Sequence, residues 1–245
     1  MSKPEKKIKL DELDIHNKCL RLEDRHRTHY SNIMEDIDPD NPNYSSQIIK
    51  FFAASVDSVS TIFHNNCSNG SGCFISPTLL MTSYNTVMPF DGLHLMHSVN
   101  KKKQTSSKLI EVVCFNEDVG YAIVRVNEHK NVNWFPLCPK HLEKNETVNI
   151  IHSGLVGLRA LVNIEEMKGR YKLSINGQEH ITRSDSNGAP IFDMVGNFIA
   201  INERRKGKHH FAVPVFDIYS DIYSQSKKMT DKNLAKELES LLSNK

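Results

Sequence analysis

The spacing of apolar residues changes character twice along the chain. Up to about residue 45 charged and amide side chains dominate, apolar positions are scattered, and the segment ends in turn-forming residues from Asp38 to Asn43. This predicts a loosely held extension over about 1–45, with one helix through Leu10 to Leu20. Ser45 and Ser46 then offer a cap, and Ile48, Phe52 and Val56 recur at helical spacing, which predicts a short helix leading into the body. From Val59 the pattern becomes short β-type runs: Val59 to Phe63, Gly72 to Ile75, Leu79 to Thr82, Leu109 to Phe115 and Tyr121 to Val126. Asn69 to Gly72, Ser76-Pro77 and Asp91-Gly92 read as the turns between them. A second set follows Pro136: Thr147 to Ile151, Leu158 to Ile164, Arg170 to Ile175, Pro190 to Phe192, Phe198 to Ile201 and His210 to Val213. About a dozen short strands with frequent turns predict barrels or sandwiches, not alternating βα units. The tail returns to helical spacing. Thr230 and Asp231 can cap it, and Leu234, Leu238, Leu241 and Leu242 form one stripe, expected to pack on the chain's own domain. Use of that stripe to bind a partner is the alternative.

Composition narrows the class without naming a function. The 245 residues are 39% hydrophobic and 24% charged, ordinary for a globular chain able to bury a sizeable core. A net charge of +2 makes no general case for nucleic acid or an acidic membrane surface. No apolar run approaches the roughly 18 residues needed to cross a bilayer, and Met1 to Leu10 is Lys-rich with no apolar stretch after it. The five cysteines, Cys19, Cys67, Cys73, Cys114 and Cys138, are few and odd in number. Together these features lead to the expectation of an intracellular protein with free thiols.

Four ordered stretches, Gly70 to Val87, Asn116 to Val126, Arg183 to Ile201 and His210 to Val215, resemble the Deg/HtrA branch of the trypsin-like serine proteases. Gly70-Ser-Gly-Cys-Phe-Ile-Ser-Pro77 followed by Leu79 to Val87 is similar to the hairpin and strand that present the general base. Asn116 to Val126 is similar to the strand carrying the orienting Asp. Arg183 to Ile201 is similar to the passage around the nucleophile, and His210 to Val215 to the closing strand. Glu146 to Gly154 also resembles the opening of the second barrel. The resemblance covers nearly the whole body and implies an all-β fold: a trypsin-like double six-stranded β-barrel with flanking N-terminal and C-terminal helices. The expected protease-like domain spans about 46–223, with barrels over about 57–128 and 135–217 and a C-terminal amphipathic helix over 224–245.

What the resemblance implies for chemistry is a loss. Acyl transfer on this fold needs a hydroxyl nucleophile, an imidazole base and a carboxylate that orients it. The corresponding positions are Asn187, Asn85 and Gly120. An amide neither returns a proton near neutrality nor attacks a carbonyl, and glycine has no side chain. Ser186, adjoining the nucleophile position, is the fallback nucleophile, and it would need a displaced histidine. The oxyanion-hole backbone corresponds to Asp185 and Asn187, and a carboxylate at Asp185 opposes a developing oxyanion.

Among other features, His94 and His97 lack further ligands at metal-site spacing, so no metal and no cofactor is expected. The basic run Arg204, Arg205, Lys206 and Lys208 is a candidate binding loop for an acidic partner. It lacks the interleaved aromatics of a single-strand nucleic-acid platform. The functional expectation is an inactive trypsin-like homologue that binds a protein or peptide. The alternatives are a rearranged active endopeptidase using Ser186, and a scaffold using its basic hairpin or C-terminal helix.

Overall fold

The computed structural model describes residues 58–64, 67–88, 90, 93–99, 103–127, 134–141, 143, 146–152, 155–163, 171–174, 186–194, 196–204 and 210–243. The extension expected over 1–45, the helix expected around Ile48 to Val56, and residues Asp185, Arg205, Lys206 and Lys208 lie outside the described residues.

Twelve described strands close into two barrels of six. In the first, β1 (Val59–His64), β2 (Cys67–Phe74), β3 (Leu79–Ser83), β4 (Leu93–Val99), β5 (Lys103–Asn116) and β6 (Tyr121–Val126) follow the spatial order β1-β2-β3-β6-β5-β4. In the second, β7 (Thr147–His152), β8 (Leu155–Asn163), β9 (Tyr171–Ser174), β10 (Pro190–Phe192), β11 (Phe198–Arg204) and β12 (His210–Pro214) follow the order β10-β11-β12-β9-β8-β7. All pairings are antiparallel. Closure leaves neither barrel with a free edge, which is how short strands with modest apolar content form a stable sheet.

Three details differ from the sequence pattern. Leu93 to Val99, which carries His94 and His97 and has only a weak alternation, is a full strand that closes the first barrel between β1 and β5. Asn69 to Gly72 is not a turn but the body of β2, which pairs with β1 across a bulge at Ile62 and Phe63. Its glycines serve close approach: a Cβ on Gly72 would sit 2.3 Å from Leu80 Cδ2, and one on Gly70 would sit 2.5 Å from the Asn187 carbonyl oxygen. The C-terminal helical region begins at Val215, directly after β12, and comprises α2 (Val215–Lys228) and α3 (Lys232–Ser243), following a one-turn helix α1 (Tyr84–Val87).

One apolar core joins these parts. It runs from Cys73, Met81 and Tyr121 through Phe135 and Leu137 of the inter-barrel connection to Phe192, Phe198, Ile218, Ile222 and Leu238. The connection is stitched to both barrels, Phe135 N–H donating to Phe74 O and Cys138 N–H to Phe198 O, at 2.9 and 3.1 Å. Helix α3 turns Ala235, Leu238, Leu241 and Leu242 inward, so the apolar stripe is consumed by the chain's own core. Its Glu237 takes two hydrogen bonds of 2.7 Å from the Arg125 guanidinium on β6, and Tyr219 Oη donates to Leu242 O at 2.6 Å. Helix α2 reaches the first barrel through Asp221, whose carboxylate accepts from Asn116 Nδ2 at 3.0 Å and Tyr121 Oη at 2.7 Å. The helical pair thus ties the end of the second barrel back to the first. No helix among the described residues is long and apolar enough to cross a membrane.

Cys73, Cys114 and Cys138 are free and buried. Burial pushes the Cys73 thiol far above its ordinary range, and burial, against the Tyr121 hydroxyl, pushes Cys114 up to about 11. The thiolate is the reactive form. All three are expected to resist maleimide at neutral pH in the native state and to react within minutes in denaturant, as peptide-resolved mass spectrometry would read. Native labelling at Cys73 would contradict this packing.

Candidate functional site

The three positions that the sequence marks for chemistry converge where the barrels meet. Strand β3 ends in α1, which exposes Asn85 and buries Thr86 and Val87. Tyr84 N–H donates to Gly120 O at 3.1 Å, fixing the start of α1 against the turn that enters β6. That turn is tight: Gly120 N–H returns to Asn116 O at 2.8 Å, Val119 N–H bonds Asn116 Oδ1 at 3.0 Å, and Gly120 has φ 94°. The left-handed angle suits glycine, and what Gly120 gives the site is a backbone carbonyl. Asp118 is exposed on the same turn.

Asn187 arrives from the second barrel on the turn preceding β10. Gly188 N–H donates to Asn202 O at 2.6 Å, Asn202 N–H to Ala189 O at 2.8 Å, and the Asn202 amide to Ser186 O at 2.8 Å. The turn is pressed against β2 and α1. Ser71 N–H donates to Asn187 O at 2.7 Å, and the Thr86 hydroxyl reaches the same oxygen at 3.3 Å. Thr86 is itself held by Ser83 Oγ at 2.8 Å, while Thr82 Oγ1 donates to Ser71 O at 2.6 Å. Gly188, at φ +78°, lies against this seam so closely that a Cβ would meet Thr82 Oγ1 at 2.1 Å and Ser71 O at 2.3 Å. Buried hydroxyls and amides thus satisfy backbone groups across the barrel junction, which fixes the relative position of the two halves.

Beside these hydroxyls the junction holds the amides of Asn85, Asn187 and Asn202 and the carboxylate of Glu203. Asn85 Nδ2 donates to Glu203 Oε1 at 3.2 Å, joining residues 118 apart in sequence. Glu203 lies on β11 and is 2% exposed, and Asn187 is 8% exposed. Ser186 is fully buried, and the Asn202 amide approaches its hydroxyl at 3.4 Å. His141, the one histidine among those with described side chains, is exposed and stacks on Phe216 with ring centroids 3.9 Å apart. Arg204 is the last residue of β11, paired with His210. Sequence reasoning missed Glu203, Asn202 and Thr86. Glu203 and Asn202 directly follow the apolar run of β11, where two buried polar residues ending such a run were the available signal.

No protein-family model and no curated protein matches the chain. Solved structures do. The chain is similar to Deg5, at 16% identity and a TM-score of 0.58, with 73% of this chain and 93% of that one covered. It is similar to the MamO protease domain from Magnetospirillum magneticum, at 12% identity and a TM-score of 0.56, with 69% and 98% covered. It is similar to the human heparin binding protein, at 10% identity and a TM-score of 0.55, with 70% and 92% covered. With the two closed six-stranded barrels and the helices after β12, these likenesses establish the architecture: the chain has the fold of a trypsin-like serine protease domain.

Proposed function

We propose that this chain is a catalytically inactive trypsin-like homologue that acts as a binding or regulatory module for a protein or peptide partner, with Asn85, Gly120 and Asn187 at the base, acid and nucleophile positions. The observation that carries it is the hydrogen bond from Asn85 to Glu203 beside the buried Asn187. At the place where proton transfer to a nucleophile would begin there is an amide engaged with a carboxylate, and neither partner is an imidazole or a hydroxyl. The retained inter-barrel bonding supports the same view, because Ser71, Thr82, Thr86 and Gly188 keep the two halves in register around a site without a nucleophile. Burial of Ser186 and its contact with Asn202 weigh against its use as a displaced nucleophile, since a substrate carbonyl must come within about 3–3.5 Å of the attacking oxygen. One structural neighbour, the human heparin binding protein, is named for what it binds. A location inside the cell belongs to the same proposal and rests on the few, odd cysteines and the free thiols of Cys73, Cys114 and Cys138.

The test is a fluorophosphonate probe together with a mixed peptide library cleaved or left intact. The expected outcome is no covalent adduct and no cleavage above a heat-treated control. An adduct on Ser186 with turnover would overthrow the proposal.

A further inference from the structure

We propose that the stacked pair Tyr84 and Phe115, beside Asn85 at the barrel junction, docks an arginine or lysine side chain of the partner. This rests on the binding role given above and names the chemistry that the site recognises. Phe115, the penultimate residue of β5, has 47% of its surface exposed, one of two large apolar side chains so exposed among the described residues. Its ring stacks on Tyr84, with centroids 5.7 Å apart and planes 29° from parallel. Tyr84 directly precedes Asn85 on α1, and desolvation together with the neighbouring Glu117 carboxylate holds its phenol above the ordinary range. The exposed carboxylates of Glu117 and Asp118 follow Phe115 on the same turn, and the Glu203 carboxylate lies at Asn85.

The combination selects a cation. Aromatic faces attract an ammonium or guanidinium placed within about 6 Å of the ring centroid. An apolar side chain laid on the same shelf would strip water from neighbouring carboxylates without replacing it. An anionic one would meet like charge. A basic side chain packs its stem on the rings and brings its charge to Glu117.

The shelf is also rigid before anything binds. Gln225 Nε2 donates to Phe115 O at 3.1 Å, Asn116 Nδ2 to Asp221 Oδ1 at 3.0 Å, and Gly120 N–H to Asn116 O at 2.8 Å. Helix α2 thereby holds the turn from behind, so a ligand bears little of the ordering cost.

The experiment titrates the full chain with a fluorescein-labelled heptapeptide, blocked at both ends, that carries arginine at alternate positions. The same peptide with glutamine or with glutamate at those positions is compared at two salt concentrations. The arginine peptide is expected to bind best and the glutamate peptide not at all. Phe115→Ala is expected to weaken binding about fivefold, the size of an exposed cation–π contact. Glu117→Gln is expected to weaken it and flatten its salt dependence. Phe115→Gln serves as a second variant should Phe115→Ala lower the melting temperature. No binding of the arginine peptide, or binding indifferent to all three substitutions, overturns the proposal. Tighter binding of the glutamate peptide also overturns it and assigns recognition to the basic run after β11. Sedimentation of the free chain that changes on Phe115→Ala would identify a second copy as the occupant and overturn it likewise. Peptide that binds and is cleaved would sink the inactive reading and leave the docking site standing. Peptide that is neither bound nor cleaved would do the reverse.

Discussion

Asn85→His combined with Asn187→Ser is expected to label with a fluorophosphonate at position 187 at least ~10²-fold faster than either single variant, the scale of positioned general-base catalysis. The two changes depend on each other: a hydroxyl without a base keeps its proton, and a base without a hydroxyl has nothing to activate. The structure adds a third participant. Glu203 Oε1 already lies 3.2 Å from the Asn85 amide nitrogen, so an imidazole introduced there meets a buried carboxylate even though Gly120 supplies none. A carboxylate in that contact can hold the tautomer and stabilise the imidazolium. Glu203→Gln in the double variant is therefore expected to slow labelling, while Glu203→Gln alone leaves the native chain unlabelled. The readout is adduct formation against time, with the site located by mass spectrometry. Equal labelling in the double variant and in Asn187→Ser alone would show that position 85 does not face position 187 as proposed.

Gly188→Ala should cost about 2–4 kcal/mol of folding stability, as the sum of a left-handed backbone angle forced on a Cβ and overpacking against immobile atoms. Against a total of roughly 5–15 kcal/mol that is a large fraction. The clash is with Ser71 O at 2.3 Å as well as with Thr82 Oγ1, so relief requires moving the β2 backbone or losing the bond from Gly188 N–H to Asn202 O. Gly72→Ala offers the contrast. Its close neighbours are Leu80 side-chain atoms at 2.3 and 2.8 Å, with no left-handed angle and no backbone atom nearer than 3.2 Å, and a smaller loss is expected. Urea unfolding of the two variants measures the difference. A Gly188→Ala chain as stable as the parent would mean that the junction is not the close seam described here.

How much of this was legible in the sequence differs from element to element. The short apolar runs Tyr121 to Val126 and Leu79 to Thr82 needed no partner to be read as strands, because a short run of apolar residues bounded by turn residues is a local property. The positions Asn85, Gly120 and Asn187 were picked out through the resemblance to the Deg/HtrA passages, and their segments do meet at one junction. Leu93 to Val99 was harder, since its strand character comes from pairing with β1 and β5 more than from its own pattern. Asn69 to Gly72 was misread as a turn because glycine signals both turns and close packing, and which applies depends on Leu80 and Asn187, eight or more residues away. The start of α2 at Val215 was hidden by Pro214, which ends β12 and caps the helix at once, leaving no polar cap residue to mark the change.

By itself, then, the sequence determined the repertoire of strands and their grouping into two sets, while its resemblance to the Deg/HtrA passages singled out Asn187, Asn85 and Gly120. These are matters of residue type and local spacing. Only the tertiary structure decided what those positions touch. Glu203 reaches Asn85 across 118 residues, Ser186 is sealed beneath Asn202, and Phe115 is left open beside Tyr84, held from behind by α2. Each of these follows from barrel closure and from the way one barrel docks on the other. Such contacts join residues far apart in the chain, so they are fixed by packing and pairing that no local pattern encodes.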